Sequence, residues 1–144
     1  MTVTYDEILY PTDGSESAEG AFEHAVSLAG AYDARLHVLY VVNTTYAGVG
    51  AGGGTNISSL RETGESVLSE FARRTEAEGI DVQTHLEEGD PYTQIISKSE
   101  GMDAIVMGTR GRTGIDRYLL GSVTEKVVRS ADPPVFTVRT VIEE

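Results

Sequence analysis

Five short apolar runs rich in branched and aromatic residues recur along the chain, separated by stretches in which apolar residues return every three or four positions. EILYP from Glu7, RLHVLYVV from Arg35, DVQTHL from Asp81, DAIVMG from Asp103 and PVFTVRTV from Pro134 predict five strands. Between the first two, Ala18, Ala21, Phe22, Ala25, Ala29 and Tyr32 form one stripe of a helix whose wet side carries Glu16, Glu19 and Glu23. Ile57, Leu60, Val67, Leu68 and Phe71 form a second stripe, on a helix starting near Ser59. DPYTQIISKSEG predicts a short third helix with Asp90 as N-cap, Pro91 in the first turn and Gly101 as stop. A fourth runs from about Ser122 to Ser130. There Ser122 and Glu125 have capping-box spacing, which places Ser122 as the opening residue and Gly121 just before it.

Strands alternating with helices imply parallel pairing, right-handed crossovers and helices on both faces, a doubly wound α/β domain over residues 1–144. The first, second and fourth strands are apolar at consecutive positions, as strands covered on both faces are. Val82, Thr84 and Leu86 instead alternate with polar residues, which puts the third strand at an edge. In such sheets ligands bind beyond the carboxyl ends of the strands, where the winding reverses, so attention falls on the loops after strands one and four.

Composition narrows the chemistry. Without cysteine there are no disulfides, thiol nucleophiles or thiolate metal sites. His24, His37 and His85 lie on separate segments, so no histidine-based metal cluster is expected and no metal-ligating protein residue is assigned. A net charge of −12 opposes binding to nucleic acid or anionic membrane. Absence of a long apolar run and of a secretory start in MTVTYDEILY leads to the expectation of a cytoplasmic protein. Acidic side chains outnumber basic ones two to one and only Lys98 and Lys126 are lysines, a balance suited to a hydrated surface at high salt and thus to a halophilic source.

Against that charge, the segment from Met107 to Lys126 holds four glycines and three arginines, Arg110, Arg112 and Arg117. It leaves a strand and enters a helix, and a helix start offers unpaired N–H groups to an anion that glycines allow to come close. It is not a Walker A loop, which would need a lysine after its last glycine. In the loop after strand one, Asp13 is placed to accept hydrogen bonds from a ribose or base, although Asp13 and Glu16 also have the spacing of a helix cap. Val41 and Val42 offer an apolar wall or simply sheet core. Gly48, Gly50 and Gly53 match G-x-G-x-x-G but stand too far from both strand and helix for a tight nucleotide turn, so the stretch at about 44–57 is expected to be a mobile linker or lid.

Gly108, Gly111, Gly121 and Ser122 satisfy G-x2-G-x9-G-[ST], and ILYPTDGSESAEGAFEHAVSLA, LHVLYVV, DAIVMGTRGRTG and LLGSVTEKVVRSADPPVFTVR follow in order. On these segments, which cover nearly the whole chain, the sequence resembles the ATP-binding branch of the universal stress proteins. The resemblance implies an adenine nucleotide alpha hydrolase-like fold with sheet order 3-2-1-4-5. It places adenine near Asp13 and Val41, and ribose and phosphates over Gly108, Gly111, Gly121, Ser122 and the Val123–Thr124 turn, with Pro11, Thr12, Met107 and Arg110 completing the binding set. Bound ATP would carry Mg2+ through its phosphates and water. The lid, unusually rich in glycine, and Arg110 before Gly111 depart from the family's pattern.

No catalytic residue is legible, so a nucleotide-binding regulatory module with an unidentified protein partner is favoured. Its alternative is a slow ATPase acting as a timer, in which Asp116 could help hold Mg2+. A phosphoacceptor receiver is disfavoured by Leu86 and Arg139, where an aspartate and a lysine would be needed. A flavodoxin is disfavoured because TDGSES only faintly resembles its hydroxyl-rich phosphate loop. Val135, Phe136, Val138 and Val141 give the last strand an apolar edge, and the resemblance implies a homodimer through residues 134–141.

Overall fold

The computed structural model describes residues 3–44, 57–109 and 121–139. Its elements follow in strict alternation: β1 (Glu7–Thr12), α1 (Glu16–Tyr32), β2 (Arg35–Asn43), α2 (Ile57–Ala77), β3 (Val82–Gly89), α3 (Pro91–Ser99), β4 (Ala104–Gly108), α4 (Ser122–Ser130) and β5 (Val135–Val138). The strands form one parallel sheet in the order β3-β2-β1-β4-β5, with the winding reversing between β1 and β4. As its alternating pattern indicated, β3 lies at an edge. It extends to Gly89, three residues past the apolar run.

Alternation of side chains along each strand divides the core in two. On one face Ile8, Tyr10, Leu36, Val38, Tyr40, Val42 and Val106 meet Ala21, Phe22, Ala25 and Ala29 of α1 and Leu68 and Phe71 of α2. On the other, Leu9, Leu39, Ile105 and Met107 meet Ile95 of α3 and Val127 of α4. Alanines every fourth residue let α1 sit close to the sheet. Helix α2 is brought close by Gly64, where an added Cβ would lie 2.7 Å from Tyr40 Cδ1 and 2.8 Å from Leu86 Cδ1.

The ends of the elements follow their local chemistry. Asp90 caps α3 through the Thr93 N–H at 3.0 Å, and Pro91 and a Gly101 with φ of 84° begin and close it as the sequence indicated. That backbone bond, followed by one from the Thr93 hydroxyl, holds the Asp90 carboxyl below its ordinary range. In β5, Val135 and Val138 pack against the two cores while Phe136 stays exposed, its ring edge-on to Tyr5 at 6.0 Å. Only part of the expected apolar edge is therefore open, and Val141 falls outside the described residues.

Candidate functional site

Between β1 and β4 the ladder holds two pairs, Ile8↔Ala104 and Leu9↔Ile105, although β1 runs on to Thr12 and β4 to Gly108. Its early end has a covalent cause. Glu7 turns both backbone groups toward the β4 side: its N–H donates to the Asp103 carboxylate at 2.9 Å and its C=O accepts the Asp103 N–H at 2.8 Å. Backbone groups alternate sides along a parallel strand, so Leu9 and then Pro11 also face β4. Proline has no N–H to donate. The ladder toward β2 meanwhile continues to Thr12↔Tyr40. Open sheets of this kind form a crevice at such a switch point, and strand alternation places Pro11, Met107 and Val41 beside it on the face where α3 and α4 pack.

Beside this crevice the chain leaves β4 at Gly108 and returns at Gly121. The Gly121 N–H donates to the Thr109 C=O, and the Thr109 N–H donates to the Val138 C=O at 3.1 Å, tying the start of α4 to β4 and β5. Thr124, buried in the first turn of α4, donates its hydroxyl to the Gly108 C=O at 2.9 Å. The Thr124 side chain is thus a structural tie, and what it leaves for a ligand is its backbone.

The expected capping box is absent. Gly121 is the N-cap of α4 and no side chain makes a cap hydrogen bond there; Ser122 is already the first helical residue and is exposed. Glu125 is turned away from the cap, its carboxylate paired with Arg129 at 3.1 Å. The helix start is thereby left without a side-chain oxygen over its first-turn N–H groups. Asp13 stands three residues before the start of α1. It precedes Gly14, whose φ is 81°, and its Oδ1 accepts the Ser15 N–H at 2.9 Å, while the Thr12 hydroxyl accepts the Gly14 N–H at 3.0 Å. These two bonds fix the turn after β1.

Of the sequence-derived set, Pro11, Thr12 and Asp13 lie at the end of β1, Val41 in β2, Met107 and Gly108 at the end of β4, and Gly121, Ser122, Val123 and Thr124 at the start of α4. Val41 and Val123 both pack against the core that includes Met107. Arg110, Gly111, Arg112, Asp116, Arg117 and the glycine-rich stretch at 48–54 lie outside the described residues.

His37 and His85, on separate segments of the sequence, come together on β2 and β3: His37 Nδ1 lies 2.9 Å from His85 Nε2, and His37 Nε2 lies 2.6 Å from Glu7 Oε1. Two steps of strand register do this, and no helical or strand pattern read in isolation reveals it. Among the described residues no group of three or more histidine or carboxylate side chains is arranged to hold a metal ion.

The universal stress protein family matches residues 4–139. The chain belongs to that family. Universal stress protein MJ0531 of Methanocaldococcus jannaschii is 38% identical over 140 residues, 94% of this chain and 82% of that one. Among solved structures, hypothetical protein MJ0577 superposes with a TM-score of 0.85 at 30% identity, over 98% of this chain and all of that one. A universal stress protein crystallised in complex with cAMP superposes with a TM-score of 0.72 at 25% identity, over 96% of this chain and all of that one. The sheet order and two-sided helix packing of this universal stress protein are those of its structural neighbours. No helix among its described residues is long and apolar enough to cross a membrane.

Proposed function

We propose that this universal stress protein binds ATP at the β1–β4 crevice and acts as a nucleotide-dependent regulatory module, the bound nucleotide setting which partner the single domain engages. The observation that carries this reading is the α4 start: capped by a glycine, free of any side-chain cap bond, and held beside Gly108 by the Thr124 hydroxyl. Such a start presents first-turn N–H groups and the positive end of a helix to an anion, locally offsetting the repulsion of a chain carrying −12. The residues present suit a nucleotide. Ribose and phosphates are assigned to Gly108 and Gly121–Thr124, adenine to the side of Asp13 and Val41, and the rest of the crevice to Pro11, Thr12 and Met107. Arg110 and Gly111 are assigned from the glycine motif alone. A relative crystallised with cAMP supports the adenine nucleotide class.

Mg2+ would accompany ATP through phosphate oxygens and water. Binding is favoured over turnover because hydrolysis needs a base and a positioned water. Among the described site residues the carboxylate is Asp13, already engaged with the Ser15 N–H and assigned to the nucleoside end. A cytoplasmic homodimer through residues 134–141 completes the proposal, supported by exposed Phe136 on the edge strand β5. Denaturing freshly purified protein and identifying released nucleotide by chromatography tests the binding. Recovery of ATP supports it, and protein that neither retains nor takes up adenine nucleotide removes it. Single-turnover kinetics tests the rival timer, and sedimentation showing only a 15.4 kDa species at micromolar concentration removes the dimer.

A further inference from the structure

Among the described residues, the buried serine and threonine hydroxyls are paired with one exception. Thr12 accepts the Gly14 N–H, Thr75 donates to the Phe71 C=O at 2.7 Å, Ser99 to the Ile96 C=O at 2.7 Å and Thr124 to the Gly108 C=O at 2.9 Å. Thr109 Oγ1 is buried with no hydrogen-bond partner, the residue being only 8% exposed. Its backbone is fully committed, N–H to Val138 and C=O to the Gly121 N–H. The side chain is thus carried on a fixed point between the end of β4 and the cap of α4.

An unpaired buried hydroxyl is costly, and valine would fill nearly the same space without that cost. Resting on the nucleotide reading above, we infer that the Thr109 hydroxyl is a ligand-binding group, donating a hydrogen bond to a phosphate oxygen of the bound nucleotide. Phosphate rather than ribose is assigned because Thr109 holds the N-cap residue of α4 directly, and the field at that helix start favours an anionic oxygen. The resemblance-based set omits Thr109, so this donor adds a buried side-chain hydroxyl to the cradle.

The test compares wild type, Thr109→Val and Thr109→Ser by calorimetric titration with ATP, AMP and adenosine, and by melting of the nucleotide-free proteins. Thr109→Val is expected to bind ATP and AMP about tenfold more weakly, the scale of losing one hydrogen bond to a charged group, with adenosine binding unchanged. The same variant should melt no lower than wild type when nucleotide-free, since it removes an unsatisfied polar atom, and Thr109→Ser should keep most of the affinity. An unchanged ATP affinity in Thr109→Val overturns the inference alone. An equal loss with adenosine overturns the phosphate assignment. Wild-type protein that binds none of the three overturns the site itself together with the inference.

Discussion

His37 and His85 stack across two strands with ring planes 19° apart, and Nδ1 of the first lies 2.9 Å from Nε2 of the second. One proton satisfies that contact; two put N–H against N–H. Burial, then Lys98 of α3 and then His37 hold the His85 imidazole below its ordinary pKa, with Glu87 opposing and Glu7 bonded to the far side of His37. A depressed histidine value means that the unfolded chain binds the extra proton first. The resulting stability is complete above the ordinary value of 6.5 and is lost as pH falls below it toward the folded value. The urea midpoint is therefore expected to fall between pH 7 and pH 5, and His85→Asn to flatten that slope. Equal slopes for the two proteins would refute the role of this pair.

At Gly64 two effects oppose each other. Alanine improves helix propensity by about 1 kcal/mol, while its Cβ would meet Tyr40 at 2.7 Å and Leu86 at 2.8 Å, overpacking that typically costs about 1–3 kcal/mol. Tyr40 is only 5% exposed and has little room to yield. Gly64→Ala is expected to be destabilised by about 1 kcal/mol, and Gly64→Leu by more. Urea midpoints at constant slope provide the measurement.

Gly121 has φ −64° and ψ 157°, backbone that any residue adopts. Gly121→Asp would supply the missing side-chain cap and raise stability by a few tenths of a kcal/mol. On the proposed reading the same carboxylate occupies the first-turn N–H groups and repels phosphate. Nucleotide affinity should drop more than tenfold while the melting temperature holds or rises. A bulky Gly121→Leu should likewise lose retained ATP and keep the fold.

With a net charge of −12, like-charge repulsion strains the folded chain at low ionic strength. Salt shortens the reach of that repulsion to roughly 10 Å at 0.1 M. The melting temperature is expected to climb with added potassium chloride. A flat or falling dependence would contradict the salt-adapted reading of the composition.

Element order was legible because each helix stripe and each doubly covered strand leaves its own period in the sequence, down to Asp90 as cap and β3 as edge. The candidate site was outlined by the glycines at 108 and 121, which the fold places at the end of β4 and the start of α4. What escaped is what depends on three dimensions. The Ser122–Glu125 spacing suggests a capping box, yet Glu125 turns to Arg129 and the cap passes to Gly121. Gly64 looks like a weak point in a helix until Tyr40 and Leu86 are seen beneath it. Two histidines 48 residues apart carry no local sign of meeting. For Thr109 the one available clue was its place directly after a motif glycine.

Pro11 gives the molecule a notch that its loops did not have to build. Because an imino acid has no N–H to offer, the end of the β1–β4 pairing is written into the covalent chain. On the proposed nucleotide reading, insertions, deletions or altered charge in the surrounding connections can retune what binds while this frame remains the same.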